Sequence, residues 1–334
     1  MSSWYLENTT GAVVSSRIRL ARNLSGIPFP SRMNEADLEK LKAKVKAAIS
    51  DSNTPFAKSL KYIEMSAVPQ NEVAAMVERH IISPEFAASR NRAIILSEDE
   101  SISIMIGEED HIRIQVILAG LRLEEAYDIA ERIDNLLYSK LLFAFDKSLG
   151  YLTECPTNLG TGLRASVMLH LPVLKAQGEI GVISNNIAKI GFTVRGIYGE
   201  GTKSLGDLFQ ISNQITLGIS EKNAIDNLKL ITTQLIEKEM SNAKAINKIE
   251  LEDTVYRALG TLKCCRRLSG SEMMGLLSKI KLGCDLGLIG DINTIKILIE
   301  NQPHMLMKKY GEMSPEERDL KRADDVRKAL KNID

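Results

Sequence analysis

With 334 residues, 44% of them hydrophobic, the chain has the material for two ordinary domains, each with its own core. Its 43 Lys and Arg balance 43 Asp and Glu, so nothing global points to wrapping nucleic acid or lying on an acidic membrane, and any charge chemistry is local. The N terminus lacks the basic and apolar regions of a leader and no stretch reaches the ~18 uncharged residues of a membrane span, which leads us to expect a cytoplasmic protein. Four cysteines, Cys155, Cys264, Cys265 and Cys284, are too few and too unevenly spaced for a disulfide framework or a zinc knuckle, so free thiols are expected.

In chain order, residues 12–20 and 93–118 carry β-branched runs with partial alternation. The clearest is Ser101-Ile102-Ser103-Ile104-Met105-Ile106, the pattern of strands with one buried face. Helices are predicted between them. Asn34 caps residues 35–49, Pro69 stands in the first turn of a helix reaching His80, and 123–142 has apolar residues recurring at three and four. The segment 155–172, CPTNLGTGLRASVMLHLP, places a thiol and an arginine in a glycine-bearing loop that is expected to become a helix. From about residue 220 the strand signals fade, and 222–239, 249–263, 270–281, 291–300 and 315–331 read as helices. The fold class is therefore α+β, with residues 1–240 as one domain and 241–334 as a smaller all-helical one.

Several arginines sit beside small or turn-forming residues: Arg17 and Arg19 in SSRIRLAR, Arg113 in GEEDHIRIQ, Arg164 in TGLRAS and Arg195 in VRGIYGEGT. A planar, permanently charged fork with five donors matches phosphate oxygens, and small neighbours let backbone amides approach as well. Taken singly, each arginine reads first as a solvated surface charge. Arg17 and Arg19 stand apart because alternate residues on a strand share a face. Glu108-Glu109-Asp110 and Glu200 lie where strand-like sequence meets a loop, suited either to accepting a proton and holding a cation or simply to capping turns. Gly199-Glu-Gly-Thr-Lys203-Ser204 fails as a P-loop because Thr202, not glycine, precedes the lysine. The HRD and DFG motifs of protein kinases are missing too, which leaves phosphate handling to arginines.

These segments, in this order, resemble the ATP:guanidino phosphotransferases, the phosphagen-kinase family of arginine kinase and creatine kinase. Cys155-Pro-Thr-Asn-Leu-Gly-Thr161 with Arg164-Ala-Ser is similar to the family signature, EEDHIR to its catalytic-acid segment, and SSRIR and RGIYGE to its remaining phosphate and acid segments. The likeness covers residues 12–220, and likeness to the bacterial protein-arginine kinases extends to the C terminus. It implies a catalytic domain with a mainly antiparallel sheet flanked by helices. It also implies that ATP is bound with Mg²⁺ by Ser15, Ser16, Arg17, Ile18 and Arg19, by His80 and Arg113, by Arg164, Ala165, Ser166, Val167 and Met168, and by Arg195, Gly196, Ile197, Tyr198, Gly199 and Glu200. On its own, a helix-end histidine such as His80 is more often a structural hydrogen bonder.

The resemblance makes Glu109 and Glu200 the carboxylates that hold and deprotonate a guanidinium, with Cys155 as the thiol beside it. Read without the family, Cys155 is also compatible with a merely buried cysteine. No resident protein-held metal is expected. Two departures bear on substrate: Met168 stands where the small-molecule kinases typically have histidine, and Tyr198 where they tend to carry arginine. Those kinases also have a helical domain ahead of the SSRIR strand. Its absence here predicts a site open enough for an arginine on a polypeptide.

Near the C terminus, Arg318-Asp-Leu-Lys-Arg322-Ala is similar to the motif through which protein-arginine kinases bind phosphoarginine. On a helix Arg318 and Arg322 share a face and could grip one phosphate, with Asp319 on the guanidinium. The same alternation also describes any solvated helix. The function the resemblance implies is transfer of the ATP γ-phosphoryl group to arginine in proteins, with a product-sensing motif, in protein quality control. It further implies a homodimer, a zinc-finger activator and Clp-type protease machinery. The alternatives are a kinase for free arginine or another small guanidino compound, and a non-catalytic phosphoarginine-binding adaptor.

Overall fold

A computed structural model describes residues 3–52, 54–196 and 205–333. The chain opens with β1 (Val13–Arg22), α1 (Glu35–Ser50), α2 (Pro55–Lys58), β2 (Leu60–Glu64), α3 (Gln70–Glu78) and α4 (Pro84–Ala87). There follow β3 (Ala93–Ser97), β4 (Ile102–Ile106), β5 (Ile112–Ala119) and α5 (Leu123–Tyr138), then a small hairpin of β6 (Phe145–Asp146) and β7 (Gly150–Tyr151). Next come β8 (Leu163–His170), α6 (Pro172–Ala176), α7 (Ile180–Ala188), β9 (Phe192–Gly196) and β10 (Leu208–Asn213). The remainder is helical: α8 (Glu221–Ala245), α9 (Lys248–Cys264), α10 (Gly270–Asp285), α11 (Thr294–Glu300), α12 (Pro303–Tyr310) and α13 (Pro315–Ala329).

Among the described residues, eight strands form one sheet in the order β2-β3-β4-β5-β1-β8-β10-β9. The pairs β2/β3, β3/β4, β4/β5 and β5/β1 are antiparallel, as the α+β expectation requires. By contacts the chain forms two compact units. The first holds Trp4, Ser15–Ser166 and Ser212–Lys229. The second holds Tyr5–Val14, the described part of Val167–Ile211, and the chain from Leu230.

Within the first unit, α5 packs on β5 through Leu123, Ala126, Ala130, Ile133 and Leu137, all buried at the three- and four-residue spacing of one helical face. The opposite face of the sheet meets α3 and α4 through a cluster containing Met76, Ile81, Phe86, Ile94 and Met105. Asn34 caps α1, as its sequence predicts, and Asp37 completes a capping box with it. In the second unit, buried His170 contacts Ser278 Oγ through Nε2 at 2.8 Å. Burial first, and then Lys281, depress its pKa to about 3, which makes it a core residue.

Local details differ from the sequence reading. Residues 163–170 form a central strand and not a helix. The apolar and small run Ala165–Leu169 is compatible with either, and burial of Ala165, Val167 and Leu169 on one face and Ser166 and Met168 on the other requires a strand covered on both sides. Pro69 is the N-cap of α3 and not part of its first turn, and α3 stops at Glu78. Helix α5 ends at Tyr138, four residues short of the predicted end. The helix at Pro303–Tyr310 was not foreseen, being barely two turns long.

The loop leading into β8 depends on glycine. Gly160 adopts φ 109° and Gly162 φ 63°, and a Cβ on Gly160 would run into the Thr216 carbonyl while one on Gly162 would meet the Ala21 carbonyl at 2.6 Å. Gly160→Ala is expected to lower stability by at least about 2 kcal/mol, combining left-handed strain with a backbone clash. Urea unfolding monitored by circular dichroism checks this, and a change below ~0.5 kcal/mol would contradict it.

Candidate active site

The register of β1 on β5 sets Arg17 opposite Ile117, Arg19 opposite Gln115 and Ala21 opposite Arg113. Paired residues of an antiparallel ladder share a face. Arg17, Arg19 and Arg113 therefore rise from one side of the sheet, while Ile18 and Leu20 enter the core on the other. Arg164 on β8 joins them. Two residues along, Ser166 Oγ accepts from Arg17 Nε at 3.4 Å and reaches the Arg17 carbonyl at 3.4 Å.

Four guanidinium groups so placed repel one another. Burial first, then the fields of Arg113 and Arg164, bring the Arg17 pKa down to about 10. Arg19 is held well below the ordinary guanidinium value by burial and by Arg17, Arg113 and Arg164, with Glu108 opposing them. Arg19 Nε is buried and makes no hydrogen bond. Like charges gathered at one half-buried place, with an orphaned donor among them, suit an anion such as a polyphosphate.

His80 follows α3 at φ 61°, a left-handed position usually left to glycine and costing roughly 1 kcal/mol for another residue. Its N–H donates to Val77 O at 2.9 Å and its carbonyl accepts from Gln115 Nε2 at 2.9 Å. The ring centroid lies 5.7 Å from that of Trp4. Burial first, then Arg17, lower the imidazole pKa to about 3, so a neutral ring stands beside the cradle at physiological pH.

The three consecutive acids after β4 have three different roles. Glu108 is a buried counter-ion, taking Arg113 Nη1 at 2.5 Å and the Ser83 hydroxyl that caps α4. Asp110, fully buried, accepts Asn23 Nδ2 at 2.7 Å and the Glu154 amide at 2.9 Å, which pins the Cys155 loop against this turn. Glu109 is the accessible one: its side chain is 43% exposed, with Arg113 Nη2 at 3.0 Å and Asn158 Nδ2 at 3.4 Å. Cys155 Sγ lies 3.0 Å from Thr157 Oγ1. A cavity of about 710 Å³ opens among Arg92, Gly107, Glu108, Glu109, Glu154 and Cys155.

The structure thus brings together Arg17, Arg19, His80, Arg113, Arg164 and Ser166, with Glu109 and Cys155 at one cavity. Ser15 and Ala165 are buried in their strands, and Ser16 donates to Gly120 O at 2.8 Å and accepts the Arg122 amide at 2.9 Å, closing the turn into α5. Val167, Met168, Arg195 and Gly196 belong to the second unit, the first two buried and the last two half-buried at the end of β9. Ile197, Tyr198, Gly199 and Glu200 lie outside the described residues. Sequence reasoning assigned no role to Gln115 or Asn158 and named Glu108 only as part of the acidic run, without its role as counter-ion. For Glu108 the signal was present in the acidic run, but a turn has no periodicity to say which acid points inward.

In α13, Arg322 is buried, donating to Leu268 O at 2.9 Å, Asn301 O at 3.0 Å and Asp319 at 2.6 Å. Arg318 is half-buried, 3.4 Å from both Met307 Sδ and Met313 O. Arg267 approaches Asp319 at 3.6 Å.

An arginine cradle next to a carboxylate and a thiol is the equipment of a phosphotransferase. Residues 40–242 match the family model of the ATP:guanido phosphotransferase C-terminal catalytic domain, and residues 248–334 that of the protein-arginine kinase McsB C-terminal domain. The chain is 47% identical to the protein-arginine kinase of Clostridium kluyveri over 99% of each chain. It is 45% identical to that of Halothermothrix orenii over 95% of this chain and 93% of that one. Among solved structures, lombricine kinase superposes with a TM-score of 0.62 at 22% identity, over 74% of each chain. The substrate-free duplicated taurocyamine kinase from Schistosoma mansoni gives 0.61 at 26% identity, over 73% of this chain and 37% of that one. The chain belongs to the ATP:guanido phosphotransferase family, among its protein-arginine kinases.

Because Arg19 is a desolvated like charge, Arg19→Met is expected to raise the melting temperature of the ligand-free protein by a few degrees. The same change should weaken binding of inorganic tripolyphosphate at least tenfold. Calorimetry and thermal melts on parent and variant check both arms. A less stable variant with unaltered tripolyphosphate affinity would refute the reading.

Proposed function

We propose that this enzyme transfers the γ-phosphoryl group of ATP to the guanidino group of arginine residues in polypeptides, with the triphosphate on the Arg17, Arg19, Arg113 and Arg164 face and the acceptor in the Glu109–Cys155 cavity. The observation that carries this reading is Arg113, which touches both Glu108 and Glu109 and so links the anion cradle to the acid at the acceptor cavity.

A guanidinium holds its proton to a pKa above ~12 and has no lone pair to offer at neutral pH. Glu109 orients the planar fork and accepts one N–H proton as the N–P bond forms and the bond from phosphorus to the ADP oxygen breaks. Cys155 places a polarisable sulfur at the same cavity, beside the bound cation. The arginines neutralise charge spreading over the phosphoryl oxygens, and dry surroundings strengthen that effect. Neutral His80 can contact the nucleotide without adding to the repulsion. Glu200 is the proposed second carboxylate. Mg²⁺ bound to the nucleotide would supply further charge neutralisation. Among the described residues no cluster of three metal-ligating side chains offers a separate cage.

Arg318, Asp319 and Arg322 are proposed to sense phosphoarginine. The buried bonds of Arg322 support a role in holding the motif, leaving Arg318 and neighbouring Arg267 to meet the phosphate. A homodimer, a zinc-finger activator, Clp-type protease machinery and a cytoplasmic setting come from the family resemblance and belong to the same proposal. No helix among the described residues is long and apolar enough to cross a membrane.

Incubation with ATP, Mg²⁺ and an arginine-rich protein should give acid-labile phosphate on arginine, located by mass spectrometry. Glu109→Gln, which cannot accept the proton, should lower kcat by about 10²- to 10⁴-fold with binding of ADP preserved. Undiminished turnover in that variant would sink the mechanism.

A further inference from the structure

Four apolar side chains stand exposed at the end of α5 and on the hairpin that follows: Tyr138 at 63%, Leu142 at 75%, Phe145 at 57% and Leu149 at 41%. A ladder of rings runs from Tyr138 to Phe145, with Leu142 and Leu149 beside it in the chain. Tyr138 lies 5.9 Å from Phe143, Phe143 6.1 Å from Tyr151, and Tyr151 5.3 Å from Phe145. Exposed apolar side chains gathered on one short stretch of chain mark a contact surface more often than scattered single residues do.

The hairpin is held in shape before anything binds. Asp146 Oδ1 accepts from the amides of Ser148 at 2.8 Å and Leu149 at 3.0 Å, fixing the turn. Phe143 is buried beneath, and Arg22 lies 3.5 Å over the Tyr151 ring while pairing with Asp134 at 2.8 Å. Its base is bonded into the loop that carries Cys155. Leu152 N–H donates to Ala144 O at 2.9 Å, Tyr151 N–H to Gly160 O at 2.8 Å, and Ala144 N–H to Asn23 O at 2.7 Å. The side chain of Asn23 binds Asp110, which in turn holds the Glu154 amide.

These connections set a reach. Cys155 follows Tyr151 by four residues, so their Cα atoms are at most ~14 Å apart, and the Phe145 ring lies 5.3 Å from that of Tyr151. An arginine in the acceptor cavity and an apolar side chain on the hairpin are then within roughly 20 Å, the span of about six extended residues.

Resting on the reading of the enzyme as a kinase of polypeptide arginine, we infer that the Tyr138–Phe145 hairpin surface docks the polypeptide substrate, taking apolar side chains up to about six residues from the target arginine. Its continuity with the acceptor loop selects this occupant. A second copy of the chain fits less well, because four side chains cover on the order of 500 Å², below the ~800 Å² per partner of a stable interface. A small, rigid, apolar contact gives selectivity and still lets product leave.

The test is Phe145→Ser combined with Leu149→Ser, both exposed and outside the catalytic machinery, with Leu142→Ser as an independent single variant. Initial rates are compared on an unfolded, carboxymethylated arginine-containing protein and on a short glycine-flanked arginine peptide, with folding verified by circular dichroism. KM for the unfolded protein is expected to rise about tenfold with kcat unchanged, and kinetics on the peptide to stay at parent values. Equal losses on both substrates, or no loss on either, in folded variants would overturn the docking surface. So would a change of molecular mass in light scattering without a change in KM, which would assign the patch to contact between copies. A parent enzyme that phosphorylates free arginine alone would instead remove the proposed function, separating the two failures.

Discussion

The central constraint on this molecule is mutual repulsion among Arg17, Arg19, Arg113 and Arg164. Four guanidinium groups on one sheet face repel one another, and removing them from solvent costs free energy that their local partners offset only in part. The antiparallel register of β1 on β5 determines where each one leaves the backbone, and the hydrophobic cluster under α3 and α4 keeps the sheet from yielding. Glu108, with a side chain only 2% exposed, is the main counter-charge. It neutralises part of the field and leaves the rest for a ligand. With Arg17 and Arg19 held below their ordinary basicity by burial and by neighbouring guanidinium groups, the proposed anion site is set in place by the fold itself.

The same economy governs the turn between β4 and β5. Three adjacent acids meet three environments, because each successive residue of the turn faces a different neighbour. Glu108 points to Arg113, Glu109 to the cavity, and Asp110 to Asn23 and the Glu154 amide. Asp110 therefore acts on the chemistry by position, holding the Cys155 loop beside the accessible acid. Arg22, buried between Asp134 and Tyr151, holds the far end of that loop and the hairpin before it. Acid, thiol and exposed aromatic surface form one mechanical unit.

Much of this was legible beforehand where a local rule applied. Asn34 marks the cap of α1, the spacing of Leu123, Ala126, Ala130, Ile133 and Leu137 marks a buried helical face, and alternation in 101–106 marks a strand, although that strand is buried on both faces and not on one. The alternation of Arg17 and Arg19 already placed both on one side. The misreadings fell where local rules are silent. LRASVMLH satisfies helix and strand patterns alike, and only burial on both faces settles it. His80 sits at positive φ just past a helix end, a conformation that residue type alone would have assigned to glycine. In α13, spacing put Arg318 and Arg322 on one face but could not reveal that the Arg322 guanidinium is spent on the carbonyls of Leu268 and Asn301.

The amino-acid order by itself determined the element types with strong periodicity, the residue kinds needed to hold a phosphate and a guanidinium, and the family, because these depend on spacings of a few residues. Tertiary structure alone decided which acid is free, which arginines share a face with Arg164, and that an apolar hairpin stands next to the thiol loop. Those outcomes arise from strand pairing and burial between segments up to 149 residues apart. No local propensity encodes such contacts, since their energies exist only once the sheet has brought the segments together.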